Sequence, residues 1–384
     1  MSDNKRKIRV GISHGDFNSI SYEIILKALH EEGILELFTP VIFGSSEIAA
    51  RATTRLNMDD FWFATIKDVD EIQDNQVNLI DVCGPGVHQT LGMPTQEAGK
   101  AAVVALQKAC EALENGDVDV LVTAPINKHT VQSDEFSFPG HTEFLENRFC
   151  GEGEKATMIL FADNLRVAVV TGHMPLADVP AAITRQRVFE AILNFNKSLK
   201  CDFRCERPKI AVLSLNPHAG DDGTLGNEEI DVIKPAIEDA VKEGVLAFGP
   251  FAADGLFGSY AYAGFDGILA MYHDQGLAPF KALANGGGVN FTAGLSVVRT
   301  SPAHGTAYDK AGSGSADHSS MREAIYQAID IFNHRNVFEE ASANPLEIKV
   351  NVKGSKNRRQ ESHPDNLTET KKEEESNPET STES

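Results

Sequence analysis

Short apolar runs alternate with longer amphipathic segments along most of the chain. Runs of strand length occur at Arg9–Ser13, Pro40–Gly44, Asn78–Val82, Val118–Thr123, Thr157–Phe161, Arg166–Thr171, Lys209–Leu215 and Gly267–Tyr272. Segments with the 3.6-residue period of a helix occur at Ser21–Glu32, Glu97–Glu114, Pro180–Lys197, Asn227–Lys242 and Ser319–Asn333. Such alternation is typical of a largely parallel sheet with helices on both faces. The pattern therefore predicts an α/β fold.

One pair of strand-like runs follows a different rule. The two runs in Thr157–Thr171 are separated only by Ala162, Asp163 and Asn164, which is the length of a hairpin turn. A hairpin pairs its strands antiparallel, so we expect a mixed rather than an all-parallel sheet.

The order of the elements indicates two lobes. We predict a first α/β lobe made of residues 1–130 plus 265–345 and a second α/β lobe made of residues 131–264, because strands resume after residue 265. Residues 346–384 are rich in Lys, Glu, Ser, Thr and Asn. That composition predicts a disordered polar tail, since it offers too little apolar surface to offset the entropy lost on ordering.

Composition and charge exclude several classes of protein. The 384 residues are 41% apolar but contain no apolar run long enough to span a membrane. The start of the chain has no apolar stretch of signal-peptide length, and the five cysteines are few and scattered, so a cytoplasmic protein with reduced thiols is expected. A net charge of −21 argues against a nucleic-acid or anionic-membrane partner. It does not exclude an anionic small substrate, whose binding depends on local cations.

Three histidines follow predicted strands directly. His173 lies in TGHMPL, His218 in LNPHAG and His273 in MYHDQG. Ligands of open parallel sheets bind beyond the carboxyl ends of the strands, and neutral imidazoles are common ligands of zinc and similar ions. Each histidine alone is more often a hydrogen-bonded core or turn residue. The repeated placement favours a divalent-metal site.

A second group of residues suits an anionic ligand. His141 and Thr142 lie in FPGHTEF, and a dense segment downstream contains Lys281, Asn290 and Arg299 between apolar and glycine-rich flanks. Arginine grips phosphate or carboxylate with two donors, and lysine adds a compact charge. We therefore predict a phosphorylated or carboxylated substrate, although ordinary surface cations would give a similar pattern.

Nucleotide binding has only a weak signal of its own. The glycines Gly286, Gly287 and Gly288 allow close approach of a ligand, but such a run is more often a turn. The first strand is not followed by G-x-G-x-x-G, so a Rossmann-type site is not supported.

Several long motifs resemble one family. They are TAPINKHTVQSDEFSFPGHTEF, LNPHAGDDGTLGNEEIDVIKP, GPFAADGLF and the segment from MYHDQG to GSGSAD, which are similar to the 4-hydroxythreonine-4-phosphate dehydrogenases of pyridoxal phosphate biosynthesis. The resemblance covers about residues 8–335. It implies a two-lobed fold similar to isocitrate and isopropylmalate dehydrogenases, which bind NAD or NADP without the Rossmann glycines.

The resemblance also implies roles for individual residues. The metal ligands fall on His173, His218 and His273, and the substrate-binding positions fall on His141, Thr142, Lys281, Asn290 and Arg299. It implies a homodimer with the active site at the subunit interface, to which the partner supplies His273. One departure stands out, because Gly15–Glu23 reads GDFNSISYE where the family has G-D-P-A-G-I-G-P-E. We expect this loop to lie near the cleft and to influence specificity.

The implied reaction is oxidation of 4-phosphooxy-L-threonine by NAD+ or NADP+, followed by decarboxylation to 3-amino-2-oxopropyl phosphate. A divalent metal (Zn first, then Mg, Mn or Co) would activate the hydroxyl group. The residue that accepts the hydroxyl proton is left open among Lys128, Asp254 and Asp274. The alternatives are the same chemistry on D-threonate or D-erythronate 4-phosphate, or a metal-dependent hydrolase or acyl-phosphate transferase on a related fold.

Overall fold

The structure is a computed structural model that describes residues 6–31, 33–133, 136–151, 155–285 and 287–344. Twelve strands form one sheet within these residues. In chain order they are β1 (Arg9–Ser13), β2 (Thr39–Gly44), β3 (Ala64–Ile66), β4 (Asn78–Asp81), β5 (Val120–Thr123), β6 (Thr157–Ala162), β7 (Leu165–Thr171), β8 (Lys209–Leu213), β9 (Leu246–Phe251), β10 (Gly267–Tyr272), β11 (Val289–Ala293) and β12 (Arg299–Pro302).

Helices connect most of the strands. They are α1 (Ser21–Leu29), α2 (Ile34–Leu37), α3 (Ser46–Arg55), α4 (Gln96–Glu114), α5 (His141–Phe149), α6 (Val179–Ala182), α7 (Arg185–Cys201), α8 (Lys234–Lys242), α9 (Ala253–Gly258), α10 (His273–Leu283) and α11 (Ser319–Ser342). A π-helical turn, Glu229–Ile233, leads directly into α8. Within the described part of the chain, no helix is both long and apolar enough to cross a membrane.

The strand order is β3-β4-β2-β1-β5-β12-β11-β6-β7-β10-β8-β9. Pairing is antiparallel for β6 with β7, β6 with β11 and β11 with β12, and parallel for the remaining neighbours. The prediction of a mixed α/β sheet, including the hairpin at residues 162–164, is therefore confirmed. The antiparallel strands lie in the middle of the sheet.

Both faces of the sheet are covered, as the alternation along β10 illustrates. Leu269 and Met271 belong to a buried cluster that includes residues of α7, whereas Ile268 and Ala270 belong to another that includes residues of α10. A strand buried on both faces must be apolar at every position, which explains the continuous apolar runs of the sequence.

The two-lobe division at about residues 130 and 265 stays a prediction. β10, which begins just beyond residue 265, pairs with β7 and β8 of the 131–264 segment. The predicted tail at 346–384 lies outside the described residues.

Candidate functional site

Six neighbouring strands of the sheet deliver side chains to one cavity of about 250 Å³. Its walls come from β6, β11, β12, the end of β5 and the segment after it, the segments after β7 and β12, the first turn of α5, and α10. The lining residues are Thr123, Ala124, Pro125, Ile126, Lys128, Gly140, His141, Thr142, Glu143, Met158, Leu160, His173, His273, Leu277, Lys281, Asn290, Arg299, Ser301, Pro302, Ala303, His304 and Gly305. A larger depression of about 550 Å³ beside α7 and α11 contains none of the residues predicted from the sequence.

Arg299 is a buried cation at this cavity. Its side chain is only 2% exposed, and it donates from Nε and Nη2 to the hydroxyl of Thr123 at 3.1 and 2.6 Å and from Nη1 to the hydroxyl of Thr292 at 2.9 Å. Burial lowers the pKa of the guanidinium to about 10. Both hydrogen-bond partners are neutral, so the charge is solvated by hydroxyl groups and left available to an anion.

Three buried polar atoms at the cavity lack a hydrogen-bond partner among the residues that the structure describes. They are His141 Nε2, Asn290 Oδ1 and His304 Nε2. Buried polar atoms are rarely left unpaired, and a ligand is one of the groups that satisfies them. Burial, reinforced by the cations Arg299 and Lys128, holds the pKa of His141 well below its usual range. His141 is therefore neutral at pH 7 and offers its ring as a hydrogen-bonding group.

All five positions that the sequence assigned to substrate binding line this cavity. His141 and Thr142 open α5, Lys281 lies in the last turn of α10, Asn290 lies on β11 and Arg299 lies on β12. β11 and β12 are adjacent in the sheet, so Asn290 and Arg299 lie together on one wall of the cavity.

Two of the three predicted metal ligands lie together in one chain. The rings of His173 and His273 have centroids 5.3 Å apart, and both side chains are partly exposed at the cavity. Glu143 Oε1 lies 3.6 Å from His173 Nδ1, and this contact lowers the pKa of the Glu143 carboxyl. On the other ring, His273 Nδ1 lies 2.7 Å from Asp274 Oδ1. Each imidazole thus has a carboxylate neighbour that orients it, as metal-binding histidines commonly do.

His218 lies apart from this pair. It begins a left-handed turn after β8 and is not among the cavity-lining residues. Within the described ranges, no group of three or more His, Cys, Asp or Glu side chains is arranged to hold a metal ion. Within the described residues, a single chain therefore brings together two of the three histidines predicted as metal ligands, His173 and His273. That His273 reaches the site from a partner chain, as the resemblance implies, stays a prediction.

The candidates for the proton acceptor separate clearly by position. Lys128 lines the cavity. Asp254 lies exposed in the first turn of α9 and is not a lining residue. The side chain of Asp274 is 85% exposed and contacts His273 instead.

Packing and turn geometry explain two of the three consecutive glycines, Gly287 and Gly288. A Cβ on Gly288, whose φ is +135°, would lie 3.0 Å from the ring of Phe280, and Gly287 forms a turn by donating from its N–H to Ala284. Neither residue lines the cavity. Gly286 lies outside the described residues. The assignment of Gly286, Gly287 and Gly288 to a nucleotide stays a prediction.

The loop that departs from the family pattern is buried behind the cavity wall. Phe17, Asn18 and Tyr22 are at most 2% exposed and do not line the cavity. The loop reaches the site indirectly, because Asp16 donates its N–H to the carbonyl of Pro125 at 2.8 Å, and Pro125 is a lining residue.

Glu143 and His304 were not singled out from the sequence. Glu143 follows His141 and Thr142 within the FPGHTEF motif, which was the available signal. His304 lies two residues after β12, in the stretch SPAHGTAY of the last motif. In both cases a single polar residue in a helix or loop has no periodicity that distinguishes it.

Comparisons with known proteins identify one family. The family described as pyridoxal phosphate biosynthetic protein PdxA matches residues 36–328. The chain is 51% identical over 342 residues to 4-hydroxythreonine-4-phosphate dehydrogenase of Bacteroides thetaiotaomicron, which covers 89% of this chain and 93% of the relative. The enzyme of that name from Sulfurihydrogenibium sp. is 38% identical over 84% of this chain and 98% of the relative.

A solved structure supports the same relationship. The crystal structure of 4-hydroxythreonine-4-phosphate dehydrogenase from Klebsiella pneumoniae is similar with a TM-score of 0.72 at 31% identity, covering 86% of this chain and 99% of the other. The corresponding protein of Burkholderia phymatum gives a TM-score of 0.69 at 34% identity, covering 85% and 99%. The chain therefore belongs to the PdxA family of pyridoxal phosphate biosynthetic proteins.

Proposed function

We propose that this chain is an oxidoreductase that oxidises 4-phosphooxy-L-threonine at its C3 hydroxyl with NAD+ or NADP+. The product, 2-amino-3-oxo-4-phosphooxybutanoate, is a β-keto acid and loses CO2 to give 3-amino-2-oxopropyl phosphate. The observation that carries this proposal is Arg299, a buried guanidinium that donates to neutral hydroxyl groups only, among the described residues, at a cavity that also contains Lys281. A substrate with two anionic groups matches that surplus of positive charge.

The polar residues of the cavity have different roles in substrate binding. Arg299 and Lys281 attract the phosphate and carboxylate, while the unpartnered His141 Nε2 and Asn290 Oδ1 fix the orientation of the substrate. Holding C3 in one position favours hydride transfer by removing rotational freedom before the reaction. Lys128 is our candidate for the residue that accepts the hydroxyl proton, since it alone of Lys128, Asp254 and Asp274 lines the cavity.

His173 and His273 are the residues that would hold a divalent cation. When bound, such a cation makes the substrate hydroxyl more acidic. Zinc is the first choice for imidazole ligands, with cobalt, manganese and magnesium as alternatives. We propose that His218 is the third ligand and that two copies of the chain share the site. The resemblance implies that the shared ligand is the partner's His273, whereas the absence of His218 from the cavity of its own chain favours the partner's His218.

A complementation experiment tests the shared site. If His173 and His273 act in one chain and His218 comes from the other, mixing inactive His173→Ala and His218→Ala chains creates one intact site in each mixed dimer. Random mixing then restores roughly a quarter of wild-type activity. Mixing His173→Ala with His273→Ala restores none. The reverse result would mean that the partner supplies His273, and recovery in neither mixture would exclude a shared site.

Substrate choice is tested by following NAD(P)H formation. A relative that is 37% identical is described as a candidate D-threonate 4-phosphate dehydrogenase, so D-threonate and D-erythronate 4-phosphate are compared with 4-phosphooxy-L-threonine under both cofactors. Turnover confined to a threonate or erythronate phosphate would replace the proposed substrate. If neither NAD+ nor NADP+ raises the melting temperature with metal and substrate present, the proposed dehydrogenase function is wrong. That result would favour the alternative of a metal-dependent hydrolase.

A further inference from the structure

His218 lies on an unusual backbone segment. Five consecutive residues from His218 to Asp222 have left-handed conformations, with φ of 53° at His218, 52° at Ala219, 79° at Gly220, 43° at Asp221 and 51° at Asp222. L-amino acids other than glycine disfavour this region, and single residues rather than runs usually occupy it. A run of this length persists only where the surrounding structure holds it.

The carboxyl group of Glu229 binds the residues that lead into this run. Its side chain is 1% exposed, and Oε1 accepts hydrogen bonds from the backbone N–H of Leu215 at 2.7 Å and of Asn216 at 2.8 Å. Oε2 accepts from the side-chain amide of Asn216 at 3.0 Å. These bonds fix the two residues that lead from β8 into Pro217 and His218.

Glu229 also sets the space available to the turn itself. A Cβ added to Gly220 would lie 2.6 Å from Glu229 Oε2, so the carboxyl group and the glycine backbone are packed directly against each other. Glu229 therefore contacts the segment on both sides of His218. The neighbouring Glu228 differs, because it reaches only the Asn216 amide, at 2.7 Å, and does not bind the backbone before the turn.

We infer that Glu229 is a positioning residue, which holds the left-handed turn in the one conformation that presents the His218 imidazole for metal binding. This inference rests on the proposed function, in that His218 must be a metal ligand. It adds a residue that does not itself touch metal or substrate. Loss of the carboxyl group weakens metal binding because His218 then samples other orientations.

The test measures Zn2+ affinity of the full chain by competition with a chromophoric chelator. Glu229→Gln keeps the size of the side chain but places an NH2 group against the Asn216 amide. We expect its Kd for Zn2+ to rise roughly 10- to 100-fold, while the matched control Glu228→Gln stays within a few fold of wild type. Excess Zn2+ should restore most of kcat in Glu229→Gln, since the substrate cavity is untouched. A purely structural role would instead lower the amount of active protein at every Zn2+ concentration.

A second variant reaches the same contact from the other side. Gly220→Ala should also weaken Zn2+ binding, and it decides the question if Glu229→Gln does not fold. His218→Ala serves as the reference. Weakened binding in His218→Ala together with wild-type affinity in folded Glu229→Gln or Gly220→Ala overturns the inference and leaves the proposed metal site intact. Wild-type affinity in His218→Ala overturns both.

Discussion

The guanidinium of Arg299 donates two hydrogen bonds to the hydroxyl of Thr123, although the two residues are 176 positions apart in the chain. Thr123 ends β5 and Arg299 begins β12, which is the parallel neighbour of β5. The contact places a full positive charge in the interior, where its hydrogen-bond partners within the described chain are all hydroxyl groups. It is an arrangement that favours ligand binding over the stability of the free protein.

Arg299→Met should separate binding from stability. We expect kcat/KM to fall by roughly 100-fold because charge-assisted hydrogen bonds to the anion are lost. The free energy of unfolding without ligand should not fall, since the variant removes an unpaired buried charge. Steady-state kinetics and urea denaturation measure the two effects, and inorganic phosphate should raise the melting temperature of wild type more than that of the variant.

Arg335→Met is the matched control for that experiment. Arg335 donates to the Asp202 carboxylate at 2.6 Å and to the carbonyls of Leu295 and Val297, so its charge is structural. We expect this variant to lose stability and to keep its response to phosphate. If Arg299→Met is destabilised as much as Arg335→Met, the role assigned to Arg299 is wrong.

His14 should make the protein sensitive to mild acid. The ring is fully buried, and burial lowers its pKa from 6.5 to about 4. Below pH 6.5 the unfolded chain binds a proton that the folded chain does not, so the free energy of unfolding decreases as the pH falls from 6.5 towards 4. The contribution is about 3 kcal/mol. Urea denaturation between pH 7 and 4 should show a shallower pH dependence for His14→Gln, and parallel curves would contradict the assignment.

Gly15→Ala should displace Pro125 and so distort the wall of the cavity. The φ of Gly15 is +65°, and an added Cβ would overlap the carbonyl of the lining residue Pro125. We expect a loss of stability of about 2 kcal/mol or more together with a raised KM. Gly116→Ala is the control, since its φ is +75° but its Cβ would meet nothing within 4 Å. The control should lose about 1 kcal/mol with no change in KM, and equal effects on KM would argue against the link through Pro125.

Tyr308→Phe should lower the free energy of unfolding, because the buried Asp16 carboxylate loses a hydrogen-bond donor. The hydroxyl of Tyr308 donates to Asp16 Oδ2 at 2.6 Å, and burial already raises the pKa of Asp16. Without the donor, we expect a loss of about 1–3 kcal/mol. The loss should be larger at pH 8 than at pH 4, close to the ordinary carboxyl value of 3.8, because a raised carboxyl pKa makes the folded state less stable as the pH rises. Denaturation at both values checks this, with the 70%-exposed Tyr260 as the site of a neutral Tyr→Phe control.

The apolar strands could be predicted closely because burial on both faces leaves a continuous signal. Arg9–Ser13 and Gly267–Tyr272 are predicted with the bounds that the structure has. The strands that were missed lack that signal. β3 has only three residues, β9 contains Gly249 and Pro250, β11 reads VNFTA with polar residues at two of its five positions, and β12 reads RTSP. β12 is polar because it carries Arg299. The chemistry of the site therefore replaces the apolar pattern by which a buried strand is recognised in a sequence.

The composition of the site was predictable to a similar degree, but its assembly was not. Residue chemistry and motif resemblance identified the cavity residues His141, Lys281, Asn290 and Arg299. Their distances depend on strand order, which the sequence does not specify locally. For the same reason the pairing of His173 with His273, and the separation of His218 from both, emerged only from the fold.

The insertion of β12 between β5 and β11 has a consequence for protein synthesis. Until Arg299–Pro302 has left the ribosome, β5 and β11 have no neighbour in common and the centre of the sheet stays open. The cavity therefore cannot form step by step as the chain grows, although much of the sheet can. Ligand binding should begin abruptly once about four fifths of the chain is exposed, and nascent chains that stop short of β12 should carry no partial activity.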